Sequence, residues 1–259
     1  LQTYQPRVIG LDILRDLPVE PGHSELVKTF KQYNNIIGIE KVLPVQVAPP
    51  PDLPSSSVGF SDAIPDADGN LRRILLGTPT QKGYNFYLAL RLAAYYLADS
   101  NISLENGIQD RHSMRFGTTE LPRFYPNFGG YVGADAGGVQ VLLNFRSGVK
   151  PFRILSLNQI KSGIERSWIR DRIVIIGVTS PGVDIAKSSA TSINPVAGQV
   201  YGVEIQAHTV SQIVSAVLDK RQLLNSVRDG WEYLWIFAWG CLGIILCRLS
   251  KSPSKNFLF

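Results

Sequence analysis

The chain has 259 residues, 44% of them hydrophobic and 18% charged, enough apolar content for one large core or two small ones, which excludes global disorder. The basic excess behind its net charge of +5 is partly local, with Arg248, Lys251 and Lys255 against Glu232 after Gly230, and no Lys/Arg run occurs in the rest, which argues against a nucleic-acid partner. The two cysteines, Cys241 and Cys247, both fall in an apolar run near the C-terminus. Residues 1–230 therefore hold no disulfide, thiolate nucleophile or zinc–thiolate site.

Leu1 is followed by no charged segment with an apolar run, so the start reads as a cut or processed end. RVIGLDIL (Arg7–Leu14) is a continuous apolar run with one acid. It predicts a strand buried on both faces, with Asp12 near its exit. HSELVKTFKQYN (His23–Asn34) carries Leu26, Val27, Phe30 and Tyr33 at helical spacing, with Ser24 the better of two candidate caps. NIIGIEKVLP reads as a second strand, and strand, helix and strand in this order predict a βαβ unit with a parallel sheet. APPPDLP (Ala48–Pro54) predicts a stiff extended connection.

The acidic stretch that follows, GFSDAIPDADGNLRRILL (Gly59–Leu76), has three readings: a cation loop, a carboxylate site or a turn. Asp68-Gly69 between two apolar runs favours a hairpin turn, because Asp and Gly tolerate positive φ. A calcium loop of EF-hand type would need its Gly further along and a closing Glu, which is missing. A ligand or cation role for these acids stays open.

YNFYLALRLAAYYLA (Tyr84–Ala98) is apolar nearly all round and predicts a helix buried on a sheet. Asn106-Gly107 marks a turn. GGYVGADAGG (Gly129–Gly138) leads into VQVLLNFR, a strand pattern, whereas a phosphate cradle opens a helix; it reads as a loop. DRIVIIGVTSPGVD (Asp171–Asp184) predicts a buried strand whose exit, with Gly177, Thr179, Ser180 and Gly182, lies where open α/β folds bind ligands. A long polar loop, KSSATSINPVAGQ, follows and could cover such a site. VEIQAHTVSQIVSAVL (Val203–Leu218) is a helix pattern with Val203, Ala207, Val210, Val214 and Val217 on one stripe. Glu204, His208, Ser211 and Ser215 form another, with Glu204 and His208 one turn apart.

GWEYLWIFAWGCLGIILCRLS (Gly230–Ser250) has no charge between Glu232 and Arg248. Trp231, Tyr233 and Trp235 resemble an interfacial belt and Arg248 can snorkel at the other end. Residues 231–249 as a helix would reach roughly 28 Å, close to the ~30 Å hydrocarbon core of a bilayer. A single transmembrane helix is expected rather than a buried or monotopic one, because no polar face survives along the run. The basic residues on its two flanks balance, so charge does not set its orientation.

Catalytic motifs are absent: no G-x-S-x-G elbow and no H-E-x-x-H, and the histidines His23, His112 and His208 have no metal spacing. A Glu204–His208 metal site would need a further ligand such as Asp184. The simpler reading of that stripe is a polar helix face hydrogen-bonded to neighbouring loops. No resident metal and no cofactor are expected.

The order of VIGLDIL, APPPDLPSSSVGFSDAIPDADGNLRR, a Leu/Ala/Tyr-rich helix, DRIVIIGVTSPGVD and YGVEIQAHTVSQI before an apolar segment resembles the CHASE domain of type two. This is the second family of cyclase/histidine-kinase-associated sensory extracellular domains, and the likeness covers most of residues 7–218. The resemblance implies a three-layer α/β fold, with a mixed, mostly parallel central sheet, helices on both faces and one C-terminal transmembrane helix. It implies a sensory domain over 1–228 whose N-terminal part is missing, a membrane helix over 229–249 and a short cytoplasmic tail over 250–259. It implies a bacterial plasma-membrane receptor rather than an enzyme, with the main domain outside, an unassigned small ligand or ion, and a cyclase or kinase output domain in the full protein or a partner. Residues matching the family's blocks are Asp12, Asp62, Asp68, Gly69, Arg72, Asp184, Glu204 and His208. The acids and His208 are expected to line a polar cleft at the strand ends, with Gly69 serving the turn and Arg72 pairing with Asp62 or Asp66. Two other classes stand beside this one: a membrane-anchored structural or assembly subunit without a small ligand, and a metal-dependent hydrolase.

Overall fold

A computed structural model describes residues 1–147, 151–180, 184–188, 198–227 and 229–249. In chain order the elements are β1 (Val8–Asp12), α1 (His23–Gln32), β2 (Ile36–Glu40), β3 (Val58–Phe60), β4 (Arg73–Thr80) and β5 (Gly83–Phe86). Then come α2 (Leu88–Ala98), β6 (Leu104–Asn106), β7 (Met114–Phe116), β8 (Thr119–Leu121), β9 (Val139–Leu142) and α3 (Leu157–Lys161). The last are β10 (Ile173–Gly177), β11 (Ile185–Lys187), β12 (Gln199–Tyr201), α4 (Gly202–Leu218) and α5 (Asp229–Leu249).

The central sheet has the order β10-β1-β2-β3 and is wholly parallel. Its continuous apolar strands follow from burial on both faces. Val8, Ile37, Ile39 and Phe60 point into the core shared with α2 and α4. Ile9, Leu11, Ile36 and Val58 point to the other side, where Phe30 of α1 closes the layer. Glycine sets how closely α2 lies on that sheet. A Cβ on Gly10 would stand 2.7 Å from the side chain of Leu92, and one on Gly59 only 2.7 Å from Leu88 Cα, which is backbone and cannot step aside. As its uniform apolarity predicts, α2 is deeply buried, with Leu88, Leu90, Leu92 and Leu97 fully enclosed.

Several expectations change. β10 is an edge strand: every one of its residues is half-buried, because among the described residues nothing pairs beyond it. An apolar run thus marked an edge as readily as a centre. The turn at Asp68-Gly69 forms, with Gly69 N–H bonding Asp66 O at 2.8 Å, Asp66 N–H bonding Asn70 O at 2.9 Å, and Gly69 at φ +78. The strands on its two sides do not form a hairpin. β3 belongs to the parallel sheet, whereas β4 pairs antiparallel with β5 and β9. The chain after β3 is diverted by Asp62, whose carboxylate accepts from Val42 N–H at 2.8 Å and Leu43 N–H at 3.3 Å. Helix α1 starts at His23 and is capped by Gly22, not by Ser24, whose hydroxyl bonds the Glu25 side chain. The glycine-rich 129–138 segment is a loop leading into β9, as expected.

α5 packs against nothing in the described chain. Gly230–Leu249 is long and apolar enough to cross a membrane, with mean hydropathy 1.5 and no part of it buried.

Candidate functional site

The C-terminal edge of the parallel sheet gathers carboxylates. β1 ends in Asp12, which is 8% exposed, and Asp62, 7% exposed, follows β3. Asp184 precedes β11 at φ +50, and its carbonyl accepts Gly202 N–H at 2.8 Å. Its carboxylate rests on the first turn of α4, where the helix N-terminus favours negative charge. That position is open only because residue 202 is Gly: a Cβ there would lie 2.1 Å from Asp184 Oδ2. Tyr87, the buried residue that opens α2, feels the charges of Asp12, Asp184 and Asp62, and its hydroxyl is hydrogen-bonded to Gln206 of α4. The Gln206 amide oxygen is buried and has no partner among the described residues.

These groups perturb one another. Burial, reinforced by the charge of Asp184, pushes the Asp12 carboxyl up to about 7, against the opposing pull of Lys41. Desolvation raises Asp184 too, again opposed by Lys41. Desolvation and the three carboxylates hold the Tyr87 phenol well above its ordinary value. Near neutral pH the edge therefore holds a carboxyl on the point of ionising beside further acids, an arrangement that responds to protons, cations and hydrogen-bond donors. Among the described residues no group of three or more His, Cys, Asp and Glu side chains is placed to hold a metal ion.

The structure thus brings Asp12, Asp62 and Asp184 together around Tyr87 and places His208, Asp68 and Arg72 elsewhere. Glu204 stays at the start of α4, accepting Tyr201 N–H at 3.3 Å. His208 is not at the edge. It lies two residues beyond Gln206, about 200° round the helix. Its Nδ1 accepts Arg146 N–H at 3.1 Å, and the ring meets the edges of Phe145 and Phe152. Burial, with the charges of Arg221 and Arg146, lowers it to about 4, so it is neutral at physiological pH. Arg146 also bonds Ser211 and Ser215, so the polar stripe of α4 does hydrogen-bond to a neighbouring segment. The apolar stripe is broader than its spacing predicts. Gln206, Thr209 and Gln212 are buried with Ile205 and Ile213, because α4 is covered on more than one side.

Asp68 and Arg72 belong to a different cluster. Arg72 forks onto Asp68 at 2.9 and 2.6 Å and reaches Asp66 at 2.8 Å. Asp66 also accepts from Arg73 Nε and from the Tyr131 hydroxyl, both at 2.8 Å, and Arg73 lies over the Phe124 ring at 4.5 Å. This network fixes the turn and the 131–135 loop. Arg72 pairs with Asp66 and Asp68, not with Asp62. The opposed charges of Asp66/Asp68 and Arg72/Arg73 are a readable signal for it; nothing in the sequence marks Tyr87, Gln206 or Tyr131.

The class this defines is an open α/β domain with a polar site at the strand ends of its parallel sheet, carried beside a membrane-length helix. The family model described as the CHASE2 domain matches residues 1–245, and the chain belongs to that family. CHASE2 domains are extracellular sensory domains of membrane signalling proteins. No curated protein and no solved structure matches the chain.

Proposed function

We propose that this is the extracytoplasmic sensing domain of a bacterial plasma-membrane receptor, that protons or a small cationic ligand act at Asp12 and Asp184, and that the change passes through α5 to a cyclase or kinase output. The observation that carries the reading is the buried Asp12 carboxyl, with Asp184 beside it on the first turn of α4. The charge of Asp184 acts on Asp12 against that of Lys41, and the neighbouring Tyr87, hydrogen-bonded to Gln206, feels Asp12, Asp184 and Asp62 alike. A ligand that binds the ionised state better than the neutral one shifts the balance between the two. Asp62 would shape the site through its bonds to the β2 exit, and Glu204 would hold the α4 start. Asp68, Arg72 and His208 would act as supports.

The test follows the emission of Trp231, Trp235 and Trp239 in the full chain carrying Trp168→Phe, in lipid nanodiscs from pH 5 to 9, with and without a simple alkylammonium ion. A transition near pH 7 that the ammonium ion moves, and that Asp12→Asn abolishes, is expected. A transition that survives Asp12→Asn, or none in the Trp168→Phe parent, would sink the reading. Orientation is checked by Val132→Cys in the Cys241→Ser, Cys247→Ser background, since Val132 is 92% exposed. A membrane-impermeant maleimide should label it on intact cells.

A further inference from the structure

A second concavity lies away from the sheet edge. β6, β7 and β8 form an antiparallel meander, and the loops beside it enclose a cleft of about 890 Å3, within the usual ~300–1,000 Å3 of ligand sites. One wall is the 107–113 loop. Another is the 122–128 segment, whose Tyr125 and Phe128 rings lie 6.4 Å apart and nearly parallel at 18°. The third is Asn225, Ser226 and Val227, directly before α5.

The charges in these walls are already matched. Glu120 accepts N–H from Ile108, Gln109 and Asp110 at 3.0–3.1 Å and the Ser113 hydroxyl at 2.6 Å, which occupies its four lone-pair sites. Desolvation would raise this carboxyl, but those donors outweigh it and hold it at about 2. Asp110 accepts from His112 N–H at 2.9 Å, Arg123 Nε at 2.6 Å and the Tyr125 hydroxyl at 3.1 Å, and Arg123 lies over the Tyr125 ring at 4.6 Å. What is left for a ligand is a set of N–H donors, among them the two NH2 groups of Arg123, whose Nε alone bonds Asp110. Asn127 and Asn225 use their oxygens on the N–H groups of Gly133 and Ser226, each at 2.9 Å, and their amide N–H groups are uncommitted among the described residues. Tyr125 is 45% exposed and offers a ring face.

We propose that this cleft binds a neutral, polyhydroxylated ligand of the saccharide class, and that such a ligand ties the meander to the residues leading into α5. A cationic ligand would find Glu120 fully used and Arg123 repelling it, and an anionic one would have to share Arg123 with Asp110. A purely apolar one would strand the amides without partners. A sugar ring meets both demands, its C–H face on Tyr125 and its hydroxyls on the amides. A ligand touching both walls restrains 225–227, and α5 starts at Asp229. The acidic sheet edge takes no part.

The experiment is saturation-transfer difference NMR on the full chain in phosphatidylcholine nanodiscs, free of sugar-based detergent. The probes are glucose, maltose and N-acetylglucosamine, with glucuronate and glucosamine as charged counterparts. At least one neutral probe should show transfer strongest at ring C–H protons, with affinity at least tenfold weaker in Tyr125→Ala and in the cleft-filling Gln109→Trp. Asp12→Asn should bind the same probe as the wild type does, which separates this site from the sheet edge. Circular dichroism melts confirm that each variant is folded. No transfer from any neutral probe to folded wild type, preference for a charged probe, or binding unchanged in both cleft variants would overturn the proposal.

Discussion

Replacing Asp12 by Asn removes one ionisation and little volume. In the folded chain this carboxyl ionises near 7, against an ordinary value of 3.8, because it is buried beside Asp184. The fold therefore prefers its protonated form. The stability it contributes is complete below about pH 4 and is lost as the pH rises through about 7. Each pH unit across that window costs about 1.4 kcal/mol, so the ionised side chain costs up to about 4 kcal/mol at pH 8. Asn carries the neutral state to every pH. The variant should match the wild type at pH 4 and exceed it at pH 8, by about 8–16 °C at the ~2–4 °C per kcal/mol of a chain this size. Thermal melts by circular dichroism in nanodiscs across pH 4–8.5 read this directly. An equal offset at both ends of the range would mean that Asp12 is not held neutral by its surroundings and would refute the account of the edge.

Gly59→Ala drives a Cβ into the Leu88 backbone and should cost about 1–3 kcal/mol or more, read as a lowered urea midpoint with unchanged slope. Asp66→Asn leaves the buried Arg73 without its carboxylate partner and should cost about 3–5 kcal/mol by the same measurement, whereas the exposed Asp68→Asn should change little and only at low salt.

How much was legible depended on whether a property is local. The βαβ start, the buried α2, the Asp68-Gly69 turn and the apolar C-terminal helix each follow from spacing within one segment, and each forms. The pairing of β4 did not follow, since partners β5 and β9 are chosen by packing far along the chain. Asp12 was legible as a strand-exit acid because a parallel sheet puts those exits on one edge, whereas Asp62 and Asp184 were singled out only by the resemblance to the family. His208 was misplaced because helical spacing gives a residue's face but not what covers it; α4 is covered on several sides, and Phe145 and Phe152 take that one. Tyr87 and Gln206 meet only through the contact of α2 with α4, which no local pattern encodes.

Gly202→Ala separates the position of Asp184 from its charge. Residue 202 is the first of α4, where the preference of a helix interior for alanine over glycine is not fully felt, so α4 itself should gain little. The new Cβ, however, falls 2.1 Å from Asp184 Oδ2, and this carboxylate must leave the first turn of α4. Only the end of a flexible side chain has to move, so the stability of the domain should change little. What changes is Asp12. Its neighbour's charge withdraws, while burial, the larger cause of its raised value, remains. The Asp12 midpoint, followed by NMR of its carboxyl carbon, should therefore fall below 7 without reaching 3.8. A midpoint unmoved by Gly202→Ala would show that Asp184 does not act on Asp12 from that turn. A midpoint that drops the whole way would make the neighbouring charge, rather than burial, the force that keeps Asp12 neutral.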